Sequence, residues 1–109
     1  RIYIMPYTEN EINAKLNFLI EPEFKKAERF EQKPNRTLAR GTIEELFGEF
    51  EETDFFKSFP YATDEFNKKY QKFKNNYLRL LIDTLGTPDF FGVKELFYRD
   101  LTLLLEEFQ

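Results

Sequence analysis

The residues best suited to chemistry in this sequence are four closely spaced carboxylates, Glu44, Glu45, Glu49 and Glu52. Paired carboxylates can act as general acid and base or hold a magnesium ion. The sequence contains no cysteine and no histidine, which excludes Ser–His and Cys–His nucleophilic pairs and thiolate metal sites. Acids also suit a helix N-terminus and a solvated face. We favour that structural role, and we predict a protein that is not an enzyme and uses no cofactor or metal.

A second candidate is the stretch 67–81, NKKYQKFKNNYLRLL, in which basic and aromatic residues interleave. Rings exposed among cations are typical of surfaces that stack single-stranded nucleic acid. At 100° per residue, however, the aromatic residues share one helix face, and the cations lie on the opposite face. We call Lys68, Lys72 and Arg79 on that opposite face the basic ridge. The rings should therefore point into a core, while the ridge needs an anion.

The sequence suggests its own source for that anion. Lys68 and Lys72 are four residues apart, a repulsive spacing on a helix unless an anion is near. Segment 42–66 contains eight acids and one base, whereas segment 67–79 contains five bases and no acid. We therefore predict that the acidic segment neutralises the basic ridge within one chain. A protein partner and phosphate are the alternatives.

The sequence is also rich in aromatic residues, with 14 Phe and 6 Tyr. Each can bury roughly 150–250 Å², so we expect some to form an exposed patch for a partner or a second copy; a purely structural core is an equal alternative. Acids alternate with phenylalanines in segment 44–61, a pattern typical of partner-binding segments. The candidate partner-binding residues are Phe50, Phe55, Phe56, Phe59 and Tyr61. Burial of the phenylalanines of this segment in the core is the alternative, and it is the one that we favour.

Helical periodicity and capping signals predict an all-α fold in which these residues are placed. Residues 1–8 should form a short extended arm, and Thr8 should open a first helix that stops near Ile20 or kinks there, because Pro22 disfavours helical geometry before it. A short helix from Pro22 to about Gln32 follows. Residues 33–41, KPNRTLARG, read as a basic loop that carries Arg36 and Arg40. The next helix should then begin at Thr42.

The end of the sequence predicts a helical hairpin over 63–107. One helix should run from about Thr63 to Leu85 and the other from about Pro88 to Glu107. The short connection through Gly86 requires the two helices to be antiparallel neighbours. Leu96 and Leu103 lie on a flank of the last helix, beside its main apolar stripe, which indicates a second contact.

Together these patterns predict one domain, 1–109, folded as an irregular bundle of four to five helices. We expect a non-enzymatic interaction domain of a regulatory, adaptor or assembly type that binds another protein or itself. The alternative is a nucleic-acid-binding module that uses the basic ridge and the loop 33–41, although the net charge of −4 disfavours it. No apolar run is long enough to span a membrane. We expect a cytoplasmic protein with no small-molecule substrate.

Overall fold

Four long helices and one single-turn helix make up residues 7–57 and 63–109, the parts of the chain that a computed structural model describes. The helices are α1 (Glu9–Glu28), α2 (Arg36–Glu51), α3 (Asp54–Lys57), α4 (Asp64–Thr84) and α5 (Asp89–Glu107). No strand occurs in these residues. The predicted all-α bundle of four to five helices is therefore confirmed. Most of the predicted arm 1–8 lies outside the described residues.

The predicted starts of α1 and α4 are confirmed by their N-caps. The Thr8 hydroxyl accepts a hydrogen bond from the Glu11 backbone at 3.1 Å, and the Glu11 carboxylate accepts one from the Thr8 backbone at 2.8 Å. The Thr63 hydroxyl accepts a bond from the Phe66 backbone at 3.1 Å. Each cap satisfies backbone donors that the first helical turn leaves without a partner.

The predicted end of the first helix near Ile20 is wrong, because α1 continues through Pro22. Proline removes one hydrogen bond, to the carbonyl of Phe18. Phe18 and Pro22 are both exposed, so water can reach that carbonyl. The buried stripe of α1 comprises Ile12, Leu16, Ile20, Phe24 and Ala27. Core packing of the two residues beyond Pro22 outweighs the lost hydrogen bond.

The predicted basic loop 33–41 is also wrong, because α2 already begins at Arg36. The Asn35 side chain caps the helix by accepting a hydrogen bond from the Leu38 backbone at 2.8 Å. Thr42, predicted as the cap, lies inside the helix and donates its hydroxyl to the Leu38 carbonyl. Asparagine is among the strongest N-caps, so the correct start was present in the sequence.

The turn between α4 and α5 has the predicted glycine in a left-handed conformation. Gly86 has a φ of 82°, and it is the only residue with positive φ in the described part of the chain. The sequence Thr87-Pro88 predicts an N-cap at Thr87 followed by the first residue of α5, and this prediction is wrong. The Thr87 hydroxyl donates to the Thr84 carbonyl, and the N-cap position falls on Pro88, which makes no side-chain bond.

The four long helices form an antiparallel ring in the order α1–α2–α4–α5, and each packs against its two neighbours. Polar contacts show the antiparallel register: Glu51 with Tyr70 and Arg36 with Asp83 between α2 and α4, Lys69 with Glu107 and Tyr77 with Asp100 between α4 and α5, Asn13 with Thr102 and Glu28 with Lys94 between α1 and α5. The predicted α4–α5 hairpin is thus present. The edge formed by α1 and α2 is opposite the edge formed by α4 and α5.

Phe97 of α5 is fully buried at the centre of this ring. Its ring centroid lies 5.3 Å from Phe24 of α1, 5.6 Å from Phe47 of α2 and 5.4 Å from Phe73 of α4. The contacts with Phe24 and Phe47 are edge-to-face and the contact with Phe73 is tilted, and the edge-to-face arrangement is favourable for aromatic pairs at these distances. One side chain therefore links all four long helices.

Replacing Gly86 by alanine should lower the free energy of unfolding by about 2 kcal/mol or more. The added Cβ would lie 2.4 Å from the backbone carbonyl oxygen of Gln32, at a φ that alanine rarely adopts. Gly92→Ala is the matched control, because no atom lies within 4 Å of its added Cβ. Gly92 is the fourth residue of α5, where this change should raise stability by about 0.5 kcal/mol. Urea denaturation measures both, and a Gly86→Ala protein as stable as the parent would contradict the described turn.

Pro22→Ala should raise the free energy of unfolding by about 1–3 kcal/mol, because it restores the hydrogen bond to the Phe18 carbonyl in an already continuous helix. The same denaturation measurement tests it. A loss of stability would mean that the packing of Phe24 requires the proline.

Candidate interaction surfaces

The structure places the predicted aromatic partner-binding residues mostly in or against the core. Phe50 is only 2% exposed. Phe56 is half-buried, with its ring centroid 5.1 Å from Phe50 and 5.0 Å from Tyr70. Both therefore take the structural role that was the alternative for this segment, and Phe50 is not available to a partner.

The other three predicted partner-binding residues are Phe55, which lies in α3, and Phe59 and Tyr61, which follow α3 in the sequence. Phe55 is half-buried, and its ring makes an edge contact with Tyr7 at 5.6 Å. Phe59 and Tyr61 lie outside the described residues. Of the five predicted residues, only Phe55 borders an open surface in the parts of the chain that the structure describes.

That surface is a groove between α1 and the corner where α2 meets α3. We call it the Phe18 groove; its volume is about 500 Å³, and it is lined by Lys15, Phe18, Leu19, Glu52, Thr53, Asp54 and Phe55. The Phe18 side chain is 80% exposed at its rim. Sequence reasoning missed Phe18, although its position off the stripe of Leu16 and Ile20 was a usable signal.

The other strongly exposed phenylalanine lies elsewhere. Phe91 is 53% exposed and lines a separate cleft with Phe30 and Pro88, where the end of α1 meets the α4–α5 turn. Among the residues that the structure describes, the exposed phenylalanines are therefore two separate features and not one aromatic patch.

The basic ridge is exposed and has no carboxylate partner among residues 7–57 and 63–109. Arg79 donates to the Asn76 side chain at 3.2 Å, and neither Lys68 nor Lys72 makes an ion pair there. The prediction that the acidic segment neutralises the ridge is therefore wrong for the described residues. An anion for the ridge must come from elsewhere.

The acidic segment instead binds the opposite side of α4. Glu51 accepts hydrogen bonds from the Tyr70 hydroxyl at 2.7 Å and from the Lys74 ammonium at 2.8 Å. Glu52 pairs with Lys57 at 3.2 Å. Tyr70 and Lys74 face α2, whereas the ridge points away from it, so the acids of α2 cannot reach the ridge.

Arg36 and Arg40, the two arginines predicted to act together with the ridge, each lie near a carboxylate. Arg36 binds Asp83 of α4 at 2.9 Å, and Arg40 lies 3.9 Å from Glu44 in its own helix. Both are on α2. Each has a carboxylate nearby, whereas Lys68 and Lys72 make no ion pair in the described residues.

Leu96 and Leu103 of α5 are exposed by 41% and 46% beside the ridge. They lie on the helical stripe 96–100–103–107, which borders α4, because Asp100 bonds to Tyr77 and Glu107 bonds to Lys69. This placement explains why the sequence pattern indicated a second contact for α5. Among the described residues, nothing covers either leucine fully.

The facing stripe of α4 contains Lys69, Lys72, Asn76 and Arg79. The antiparallel register puts Lys72 at the level of Leu103 along the bundle and Arg79 at the level of Leu96, because Lys69 is opposite Glu107. We call Lys72, Asn76, Arg79, Leu96 and Leu103 the leucine–cation surface. It combines exposed apolar area with cations on the α4–α5 edge.

Buried tyrosines bond to carboxylates at three of the four helix interfaces. Tyr70 donates to Glu51, Tyr77 donates to Asp100, and Tyr98 donates to Glu21 at 2.9 Å. Burial raises the pKa of each of these phenols far above its ordinary value, and the hydrogen bond to a carboxylate raises it further. The hydroxyls are thus held as neutral donors.

Lys94 is the centre of the largest charge cluster. Its ammonium binds Glu21 at 2.8 Å and also binds Glu28, and it lies 5.2 Å from the ring centroid of Phe24. Burial lowers the pKa of Lys94, but the hydrogen bonds to the two carboxylates outweigh this effect and leave the pKa raised. The cluster joins α1 to α5, and its charges are satisfied within the chain.

Within the described ranges, no group of three or more acidic side chains is placed to hold a metal ion. No helix of the same residues has the length and apolar character needed to cross a membrane. Comparison of the chain with protein-family models, curated proteins and solved structures finds no match. The function therefore has to be argued from the surfaces themselves.

Tyr70, Tyr77 and Tyr98 should ionise only when the protein unfolds. Their folded pKa values lie above the unfolded value of about 10. The stability that they contribute is complete below about pH 10 and is lost as the pH rises, because only the unfolded chain then releases these protons. Tyrosinate absorbance and far-ultraviolet circular dichroism, followed together during alkaline titration, should show these three ionisations coinciding with loss of helix. Their ionisation while the helical signal is intact would contradict the buried phenol–carboxylate pairs.

Proposed function

We propose that this protein is a non-enzymatic interaction module of a regulatory, adaptor or assembly type, and that it binds another protein through the Phe18 groove. The observation that carries the proposal is the 80% exposure of Phe18. A phenylalanine left in water in the middle of a helix contributes little to folding. Burying it against a partner would contribute about 1.5–3 kcal/mol.

The residues that line the groove indicate which kind of protein segment it would bind. Phe18, Leu19 and Phe55 provide apolar area, and Glu52 and Asp54 provide negative charge at the same rim. Aromatic side chains at the centre of such a patch, surrounded by polar residues, are typical of binding hot spots. The expected ligand is a segment with an apolar anchor and flanking basic residues.

A non-enzymatic role is supported by the use of the polar side chains inside the fold. Glu21, Glu28 and Lys94 satisfy one another, and Glu51 is bound by two donors of α4. These groups join helices. Their charges are directed at each other, so they are poorly suited to activating a substrate.

Nucleic-acid binding is a second candidate, favoured by one feature of α4. Asn67, Gln71 and Asn75 line a shallow exposed surface together with Lys68 and Lys72. Amides read adenine edges, and lysines contact phosphates. The net charge of −4 opposes this candidate. Oligonucleotide binding that falls steeply with salt and is lost on Lys68→Gln would favour it.

The proposed function is tested by selecting ligands for the purified protein from an unbiased peptide-display library. The selected peptides should bind the Phe18 groove and lose roughly tenfold or more in affinity against Phe18→Gln, because each buried phenylalanine is worth at least a factor of ten. Phe91→Gln is the matched control, since Phe91 is also exposed but lies in the other cleft. Fluorescence anisotropy measures both affinities.

Two results would contradict the proposal. One is a library that yields no ligand for the folded protein. The other is a set of ligands whose affinity is the same for the parent and for Phe18→Gln. Both substituted side chains are exposed, so stability should change by only about 0.5 kcal/mol, and a folding defect would be visible by circular dichroism.

A further inference from the structure

We infer that the leucine–cation surface is a second docking site, and that its ligand is an acidic amphipathic helix of a partner protein. This surface lies on the α4–α5 edge, opposite the edge that contains the Phe18 groove. The inference is independent of the groove, because no residue is shared between the two surfaces.

The spacing of the exposed leucines fits a helical ligand. Leu96 and Leu103 are seven residues apart on one helix, which places them about 10 Å from each other along its axis. Apolar residues that repeat every seven positions on a partner helix have the same spacing. A helix laid along the α4–α5 edge can therefore cover both leucines at once, as amphipathic helices do in apolar grooves.

The charges of the surface select an acidic helix. Lys72 and Arg79 lie at the levels of the two leucines along the α4–α5 edge, and Lys68 lies one helical turn before Lys72. In the described residues none of these three cations has a carboxylate partner. Asp83, Asp100 and Glu107 are already bound by Arg36, Tyr77 and Lys69. Asp64 and Glu65 precede Lys68 by one turn of α4, and neither makes an ion pair with it. A ligand with glutamates or aspartates beside its apolar stripe would supply the missing counter-charges.

Other anionic ligands fit the surface less well. A phosphate backbone offers no apolar group to cover Leu96 and Leu103. Two half-exposed leucines provide little area for insertion into a bilayer, and the net charge of −4 is repelled by anionic lipid. Only an acidic helix matches both the leucines and the cations.

The test uses a designed probe, a fluorescent helical peptide of about 21 residues, or ~30 Å. It has leucine at the first and fourth positions of each heptad and glutamate at the flanking positions. The matched probes are the same peptide with lysine in place of glutamate and a scrambled peptide of identical composition. We expect only the acidic heptad peptide to bind, with an affinity that falls as salt rises.

Two double variants locate the binding site. Leu96→Gln with Leu103→Gln, and Lys72→Glu with Arg79→Glu, should each weaken binding of the acidic probe by about tenfold or more. The second pair changes exposed side chains that make no ion pair in the described structure, so it remains informative if the leucine variant folds poorly.

Matched substitutions on the opposite edge should leave the acidic probe unaffected. Phe18→Gln removes exposed apolar area there, and Lys15→Glu reverses an exposed lysine on α1. Because these variants belong to the Phe18 groove, loss of groove binding and loss of probe binding are separate results.

Several outcomes would overturn the inference. Equal binding of the acidic and basic probes would show that charge does not select the ligand. Unchanged affinity in both double variants would show that the probe binds elsewhere on the protein. Binding of an oligonucleotide or of phosphatidylserine vesicles, with no binding of the acidic probe, would assign the cations to another ligand. Dimerisation in sedimentation experiments that Leu103→Gln abolishes would assign the surface to a second copy of this chain.

Discussion

The contacts of the Phe97 ring hold the bundle together, and the rest of the structure depends on them. Phe97 touches Phe24, Phe47 and Phe73, so each of the other long helices presents an aromatic residue to the same point. Aromatic rings prefer edge contacts over a narrow range of distances. That preference restricts the rotation of each helix about its own axis. The rotation in turn decides which residues of each helix face solvent.

The tyrosine hydroxyls at the rim of this core account for the distribution of acids. Tyr70, Tyr77 and Tyr98 each direct a neutral donor to a carboxylate on a neighbouring helix. A buried donor needs such a partner, because leaving it without one costs about 1–3 kcal/mol. Carboxylates are therefore drawn to the helix interfaces. The cations on the outer face of α4 are left without them in the described structure.

Periodicity made α4, α5 and their hairpin predictable. Phe66, Tyr70 and Tyr77 repeat at helical spacing in α4, Phe97 lies on the apolar stripe of α5, and Gly86 marks the turn between the two helices. Two local rules failed elsewhere. Pro22 did not end α1, because buried Phe24 lies beyond it, and Asn35 started α2 earlier than the capping pattern at Thr42 suggested. The partner of the acidic segment could not be predicted. It depends on which side of α4 packs against α2, and that is fixed by contacts distant in sequence.

Phe18 and the basic ridge are exposed features that have no role in the packing of the bundle. Phe18 contributes little to stability, because its ring is in water in the folded and the unfolded chain alike. The basic ridge opposes stability slightly, because it places Lys68 four residues from Lys72. The interior uses neither. They lie on opposite edges of the bundle and differ in charge, so a ligand suited to one edge is disfavoured at the other. Occupation of both proposed sites would let the bundle hold two different proteins at once, which is the arrangement that an adaptor requires.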